Sequence, residues 1–224
     1  MKFRLVAAAI VSCCMFAAAA NAQGIFAPGD TILGGQSDGT SFSVGVAGFT
    51  GGANNWPDGE SPDHAIDGVG QKYLNFGKTN TGILVTPASG SSIAQSIKFW
   101  AANDAIERDP SGFELYGTNG DVSGAGPFAI SDFTLVASGA ISLPDSRNDG
   151  GAAALDDANS ASSSFSNSNA YASYLVLFPD VKNNGAANSM QIAEVQLYSV
   201  PEPATGGVLA ILLAGLAAFR RRNG

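Results

Sequence analysis

Between residues 23 and 200 the apolar residues of this chain occur in short stretches, and in several of these they alternate with other residues. Phe113 and Leu115, for example, enclose Glu114, and the turn sequence Asn119-Gly120-Asp121 follows soon after. Successive side chains of an extended strand point to opposite faces of a sheet, whereas a helix repeats every 3.6 residues. The pattern therefore predicts an all-β fold, and within that class a β-sandwich.

Five stretches are predicted as strands because they are apolar throughout or at alternate positions: 96–101, 113–116, 133–137, 171–178 and 191–198. They belong to a predicted main domain at 53–199. The stretch 145–169 is rich in small and polar residues and is predicted to be a long loop or a disordered excursion. The glycine-rich segment 23–52 precedes the main domain, and whether it belongs to the sandwich stays open.

The first 22 residues have the features of a signal peptide. Lys2 and Arg4 precede an apolar run, and the run ends at small residues of the kind that signal peptidase requires. We expect cleavage after Ala22, so that the exported chain begins at Gln23. Both cysteines precede this cleavage site, so the exported protein would contain no disulfide. Lipidation of Cys13 is an alternative, which the short apolar stretch before it disfavours.

The C-terminal residues 204–219 form an apolar segment without charge, and Arg220, Arg221 and Arg222 follow it. A helix of this length spans ~24 Å, less than the ~30 Å hydrocarbon core of a bilayer. Because arginines stay preferentially in the cytoplasm, we expect the tail to act as a transient inner-membrane anchor with the domain outside. A terminal core helix is the alternative, but such a helix needs a polar face.

The order of Pro201-Glu202-Pro203, an apolar helix and an arginine cluster resembles the PEP-CTERM sorting signal of Gram-negative bacteria that make exopolysaccharide. The resemblance covers residues 200–224. It implies processing near the Pro-Glu-Pro element by an exosortase, a membrane protease-transpeptidase. It also implies delivery to the cell envelope, the outer surface or the extracellular matrix.

A second resemblance rests on the order of several short motifs: 65–68 (AIDG), 72–77 (KYLNFG), 97–102, 108–117, 171–178 and 191–197. This order is similar to the discoidin-like, galactose-binding-like jelly roll, which occurs in coagulation-factor type C modules and in many bacterial carbohydrate-binding modules. The resemblance implies a jelly-roll β-sandwich. It covers roughly residues 56–198.

This family often carries calcium between an early loop and the final strand. The resemblance therefore implies Asp67 and Glu194 as candidate calcium ligands, with Glu60 or Asn75 as further ones. Calcium takes six to eight oxygen ligands, which carboxylates, amides and carbonyls supply. As alternatives, Asp67 would cap a turn and Glu194 would face solvent from its strand.

Sugar-binding modules usually place a sugar ring on an exposed aromatic side chain. Trp56, in the turn-rich loop 54–59, is the candidate platform, and packing against the sandwich is its alternative role. Residues 23–199 carry six Lys and Arg against eighteen Asp and Glu, a formal charge of −12. Such an acidic surface argues against nucleic acid as a partner.

These features together predict a non-enzymatic exported protein that is associated with exopolysaccharide and binds glycan. One alternative is a purely structural surface protein that calcium stabilises. The other is a secreted hydrolase, for which residues 35–39 match the G-x-S-x-G nucleophile motif around Ser37. That motif requires a helix after the serine and a distant histidine. Here an extended segment is predicted instead, and the single histidine, His64, follows too soon.

Overall fold

A computed structural model describes residues 23–48 and 54–199, which contain strands and four 3-10 helices but no α-helix. The strands are β1 (Gln23–Gly24), β2 (Thr31–Ser37), β3 (Ser41–Val44), β4 (Val46–Ala47), β5 (Asn55–Trp56), β6 (Tyr73–Asn75), β7 (Thr81–Thr86), β8 (Ser96–Trp100), β9 (Gly112–Thr118), β10 (Phe128–Ala129), β11 (Thr134–Ala140), β12 (Ser160–Ser164), β13 (Ser173–Phe178), β14 (Met190–Ile192) and β15 (Glu194–Ser199). The 3-10 helices are η1 (Pro62–Ala65), η2 (Ile106–Arg108), η3 (Ile130–Asp132) and η4 (Asp157–Asn159).

The strands form a jelly-roll sandwich of two antiparallel sheets, which confirms the predicted fold class. The larger sheet has the order β10-β3-β2-β7-β13-β9-β11, and the smaller has the order β1-β15-β8-β12. Apolar side chains of both sheets, among them Phe99, Leu115, Val176 and Val195, form one buried cluster. Two short strand pairs, β6 with β14 and β4 with β5, complete the arrangement.

Strand β13 is buried along its whole length because both faces of the larger sheet are covered. Tyr174 and Val176 belong to the main core, whereas Leu175 and Leu177 belong to a second cluster. The segment 122–133 supplies apolar side chains to that second cluster. This double burial explains why β13 reads as a continuous apolar run rather than as an alternating one.

Four of the predicted strands correspond to β8, β9, β11 and β13, with small differences at their ends. The fifth stretch, 191–198, is divided between β14 and β15. These two strands pair with different partners, β6 and β8 respectively. The change of partner occurs at Ala193, whose N–H still donates to the carbonyl of Trp100 (3.1 Å).

Two segments with weak strand signals nevertheless contain strands. The prediction of a loop or disorder for 145–169 is wrong at 160–164, where the serine-rich β12 pairs with β8 along five residues. Backbone hydrogen bonds to an existing strand order this sequence despite its low strand propensity. In the N-terminal segment, β2 pairs with both β3 and β7 and so lies inside the larger sheet.

Two glycines of this N-terminal segment are required by close packing around Trp56. A Cβ atom on Gly34 would lie 2.4 Å from the Pro62 ring and 3.0 Å from the Trp56 ring. A Cβ on Gly45 would lie 2.3 Å from the carbonyl oxygen of Asn54. The glycines therefore let strand backbone approach this loop more closely than any other residue would.

The carboxylate of Asp109 is fully buried and connects three segments. Arg147 donates to it through both terminal nitrogens, at 2.7 and 2.8 Å, and the ammonium of Lys182 lies 3.1 Å away. This bidentate geometry is the strong form of the arginine–carboxylate pair. Asp109 thus fastens the connection between β8 and β9 to the 145–156 excursion and to the segment after β13.

The predicted signal peptide with Ala22, and the sorting tail with Pro201, Glu202, Pro203 and Arg220 to Arg222, lie outside the described residues. Within 23–48 and 54–199, no helix is long and apolar enough to cross a membrane.

We expect Asp109→Ala to lower the free energy of unfolding by about 3 kcal/mol, because it leaves two cations near the core without their counter-charge. Urea denaturation followed by tryptophan fluorescence measures this. Asp145→Ala is the matched control: Asp145 is exposed and also contacts Lys182, at 3.4 Å. Its loss should cost under about 1 kcal/mol. Equal effects of the two substitutions would contradict the role assigned to Asp109.

Candidate functional site

A groove of about 480 Å³ opens beside the β6–β14 pair. Its apolar lining comes from Pro57, Leu74 and Phe76, and its polar lining from Glu60, Arg108, Asn188 and Ser189. This volume lies within the ~300–1,000 Å³ range of small-molecule sites. An apolar surface bordered by a few polar groups suits a ligand with one apolar face and several hydroxyl groups.

The groove is assembled from four separate segments, which backbone hydrogen bonds hold together. Leu74 and Phe76 belong to the β6 region, and their N–H groups donate to the carbonyls of Glu60 (3.1 Å) and Asn55 (2.9 Å). Pairing of β6 with β14 brings Asn188 and Ser189 alongside. Because each wall is tied to a neighbouring strand, the groove is largely preformed.

Lys72 is buried and holds two of the loops around the groove. Its ammonium lies 2.8 and 2.9 Å from the two carboxylate oxygens of Asp104 and 3.4 Å from Glu60. Burial acts to raise the pKa of Asp104, but the Lys72 ammonium, together with the Gln191 amide and the charge of Arg108, holds that pKa below its usual range. The ion pair therefore fixes the 103–108 loop against the 57–60 turn.

Arg108 enters the groove from η2, and its Nε atom is buried without a hydrogen-bond partner among the described residues. The residue before η2, Ala105, has a left-handed backbone (φ 43°). The buried Gln191 amide donates to the carbonyl of Ala105 (3.2 Å) and holds this conformation in place. Left-handed backbone at a residue other than glycine is uncommon and costs free energy; in the described residues it also occurs at Lys78 (φ 64°) and Asn80 (φ 54°).

Asp67 and Glu194, which the resemblance named as candidate calcium ligands, lie next to each other although they are 127 residues apart in sequence. Glu194 is only 3% exposed, and its Oε2 accepts the N–H of Gly68 (3.0 Å). Asp67 accepts the N–H of Val69 (2.9 Å) and the Gln71 amide (3.0 Å). Asp67 thus caps its turn, whereas Glu194 points inward rather than to solvent.

Burial raises the pKa of Glu194 to about 8, although the Gly68 N–H opposes the shift, and the Asp67 carboxylate adds to it. Burial also raises the pKa of Asp67. In the part of the chain that the structure describes, neither carboxylate forms an ion pair with Lys or Arg. In the absence of a cation, Glu194 therefore takes up a proton as the pH falls through about 8.

The two further candidate ligands are engaged elsewhere. Glu60 borders the groove and faces Lys72. Asn75 is fully buried; its amide donates to the Tyr73 hydroxyl (2.6 Å) and its carbonyl oxygen accepts the N–H of Gly77 (2.7 Å). Residues 23–48 and 54–199 contain no group of three or more His, Cys, Asp or Glu side chains that could hold a metal ion.

Trp56 is not an exposed platform: it is 7% exposed, and its ring packs edge-on against Tyr73 at a centroid distance of 5.9 Å. The turn-rich sequence around it suggested exposure, but Gly34 and Gly45 allow strand backbone to cover the ring. Phe76, only half-buried, is the aromatic residue that lines the groove.

The G-x-S-x-G match does not form a nucleophile elbow. Ser37 ends β2, and the chain turns back into β3 rather than into a helix. Its hydroxyl accepts the N–H of Gly39 (3.0 Å) within that turn. The structural context that the motif requires is therefore missing here.

A second cavity, of about 510 Å³, is lined by Gln95, Ser96 and residues 164–168. It lies at the start of β8, whereas the groove lies beyond the end of β8, where Trp100 pairs with Glu194. Its lining contains Phe165 but no charged side chain. It therefore lacks the fixed charges that characterise the groove.

No protein-family model matches this chain, and no curated protein matches it. Among solved structures, it is similar to a family 32 carbohydrate-binding module from Clostridium perfringens NanJ in complex with galactose, with a TM-score of 0.49 and 14% identity over 80% of this chain and 100% of that one.

A second similar structure contains two such domains of Clostridium perfringens ZmpB in complex with GalNAc (TM-score 0.48, 18% identity, 67% of this chain and 33% of that one). A third is chitosan-binding module 1 from a chitosanase/glucanase of Paenibacillus sp. IK-5 (TM-score 0.46, 13% identity, 79% and 99%). At these identities the similarity concerns the fold.

In metal-free buffer we expect the melting temperature to fall as the pH rises from about 5 to about 8. The ordinary pKa of a glutamate is 4.5 and that of Glu194 is about 8, so between these values the native state binds more protons than the unfolded chain. Differential scanning fluorimetry with EDTA measures this. Glu194→Gln should flatten the curve, whereas Asp132→Asn at an exposed site should not. A flat wild-type curve would contradict the assignment.

Proposed function

We propose that this chain is an exported, non-enzymatic glycan-binding protein, and that the groove beside β6 and β14 is its binding site. One observation carries the proposal: the groove is lined by the half-buried ring of Phe76 together with Arg108, Glu60 and Asn188. An aromatic ring offers a face to the C–H groups of a sugar. The charged and amide groups supply donors and acceptors for its hydroxyls.

The position of the groove supports a role at a surface. Residues Gln23 and Ser199 pair with each other, so the first and last described residues lie at the same end of the smaller sheet. Ser96 and Tyr198 pair at that end, and Trp100 and Glu194 pair at the other, where the groove lies. The last described residue, Ser199, and the groove therefore lie at opposite ends of the smaller sheet.

The proposal includes the sorting route inferred from the sequence: signal peptidase cleavage after Ala22, a transient membrane anchor, and exosortase processing near Glu202. The destination would be the envelope or the extracellular matrix. The similar solved structures include complexes with galactose and with GalNAc, and a chitosan-binding module. These sugars are therefore reasonable first probes, alongside the exopolysaccharide of the producing cell.

We expect Arg108→Ala to weaken glycan binding by about tenfold or more, since it removes charge-assisted hydrogen bonds. Phe76→Ala should weaken it to a similar extent by removing the ring face. Isothermal titration against galactose, N-acetylgalactosamine and chitosan oligosaccharides, after a glycan array, gives the affinities. Melting temperatures show whether each variant is folded.

Phe165→Ala is the matched control for Phe76→Ala, because Phe165 lines the cavity at the opposite end of β8. It should leave binding unchanged. Loss of binding in Phe165→Ala with retention in Phe76→Ala and Arg108→Ala would assign the sugar site to that other cavity. Absence of binding to any glycan on the array would overturn the proposal.

A structural calcium ion is the second part of the proposal, and the pairing of Asp67 with Glu194 favours it. Among the described residues neither carboxylate pairs with Lys or Arg, and a divalent cation stabilises two adjacent carboxylates. They supply at most four oxygens, so backbone carbonyls and water would complete the shell. The ion would tie the 67–69 loop to β15 and would do no chemistry on a ligand.

We expect millimolar Ca²⁺ to raise the melting temperature at pH 7.5 by several degrees relative to EDTA, since a ligand that binds only the native state stabilises it. Asp67→Asn and Glu194→Gln should each abolish the shift, whereas Asp132→Asn should retain it. A wild-type melting temperature that Ca²⁺ leaves unmoved would remove the ion from the proposal and leave the glycan site untouched.

A further inference from the structure

A smaller and more polar cavity, of about 270 Å³, adjoins the groove. Gly59 and Glu60 line both, so the two cavities lie on either side of the 57–60 turn. We call this smaller cavity the annex; its other lining residues include Gln71, Lys72, Asn103, Asp104 and Gly150. The annex is lined by no aromatic side chain, in contrast to the groove.

The charges of the annex are paired internally. The ammonium of Lys72 contacts both Asp104 and Glu60, so the three groups together carry one net negative charge. The same contacts orient the carboxylate oxygens, which keep lone pairs for additional donors. A bound cation would have to compete with Lys72, whereas a hydroxyl group would only add a hydrogen bond. The annex therefore suits an uncharged, hydroxyl-rich unit.

The 149–154 segment forms the far wall of the annex and is held closely against the loop that carries Gly70. The N–H of Gly70 donates to the carbonyl of Ala153 (2.8 Å), and Val69 bridges to Ala154. A Cβ on Gly70 would lie 1.9 Å from the carbonyl oxygen of Asp149, so only glycine permits this approach. On the same wall, a Cβ on Gly150 would lie 2.8 Å from the Asn103 amide nitrogen.

We infer that the site takes a glycan of at least two consecutive sugar units, an inference that rests on the proposed function. One unit occupies the groove against Phe76 and Arg108. The next crosses the 57–60 turn into the annex, where its hydroxyls bond to Glu60, Asp104 and the exposed Asn103 amide. The ligand class is thus an internal or terminal disaccharide of a polysaccharide rather than a single sugar.

The test compares galactose with GalNAc-β-1,3-galactose, and glucosamine with its β-1,4-linked dimer, by isothermal titration on the purified protein. We expect at least one dimer to bind about tenfold more tightly than its monosaccharide, the gain that one or two net hydrogen bonds supply. Asn103→Ala should reduce that ratio about threefold to tenfold and leave monosaccharide affinity unchanged. Asn169→Ala, an exposed asparagine outside the annex, is its control and should change neither value.

Gly59→Gln provides a second variant that does not depend on one hydrogen bond. A Cβ on Gly59 meets no atom within 4 Å, so the added side chain has room to extend over the junction between groove and annex. It should remove the preference for the dimer. Gly124→Gln is its control, because a Cβ there also meets no atom within 4 Å and Gly124 lines neither cavity.

The outcomes separate this inference from the proposed function. Equal affinity of wild type for monosaccharides and dimers, or a dimer preference that survives both Asn103→Ala and Gly59→Gln, would overturn the annex and leave the groove as a single-sugar site. Binding that is insensitive to Arg108→Ala and Phe76→Ala would overturn the groove itself. A failure of all four sugars to bind would count against both.

Discussion

The ammonium of Lys72 is the contact on which the candidate site most depends. Lys72 precedes β6, and its buried ammonium reaches Asp104 on the loop after β8, Glu60 on the turn after β5 and Gln191 on β14. Four segments that share no sequence neighbourhood are thereby held at one end of the sandwich. Because the ammonium is already neutralised within the protein, it shapes the groove and the annex without itself attracting an anion.

A second ionic contact plays the corresponding part further from the groove. Asp109 holds Arg147 and Lys182, and so fastens the long 145–156 excursion whose later residues form the wall of the annex. Residues 23–199 contain no cysteine, so no disulfide constrains these loops and non-covalent contacts of this kind must hold them. Glu194 differs from the paired Lys72 and Asp109. It is buried beside Asp67, and in the described part of the chain no lysine or arginine is paired with it. The proposed calcium ion would supply the missing positive charge.

Much of the strand content could be predicted from local sequence, because alternation and apolar runs reflect burial directly. Strands β8, β9, β11 and β13 follow from such patterns. Strand β12 could not be predicted, since its serines carry no burial signal and its order comes from pairing with β8.

The burial of Trp56 could not be predicted from local sequence either, because the residues that cover it, around Gly34 and Gly45, lie at least ten positions away. Arg108 and Phe76 were not recognised as site residues, because they belong to a site only once their segments are brought together.

The sequence by itself determined that the body is an acidic, disulfide-free β protein, and it provides the basis for the predicted export signals at both ends. It also indicated Asp67 and Glu194 as candidate calcium ligands, because the order of the short motifs resembles that of a family that often carries calcium. Only the tertiary structure decided that these two carboxylates meet, that Trp56 is a packing residue, and that a groove and an annex share the 57–60 turn. The reason is that local patterns record which side chains avoid water. A binding site depends on side chains from distant segments that are exposed in the same place, and only the packing of those segments specifies that.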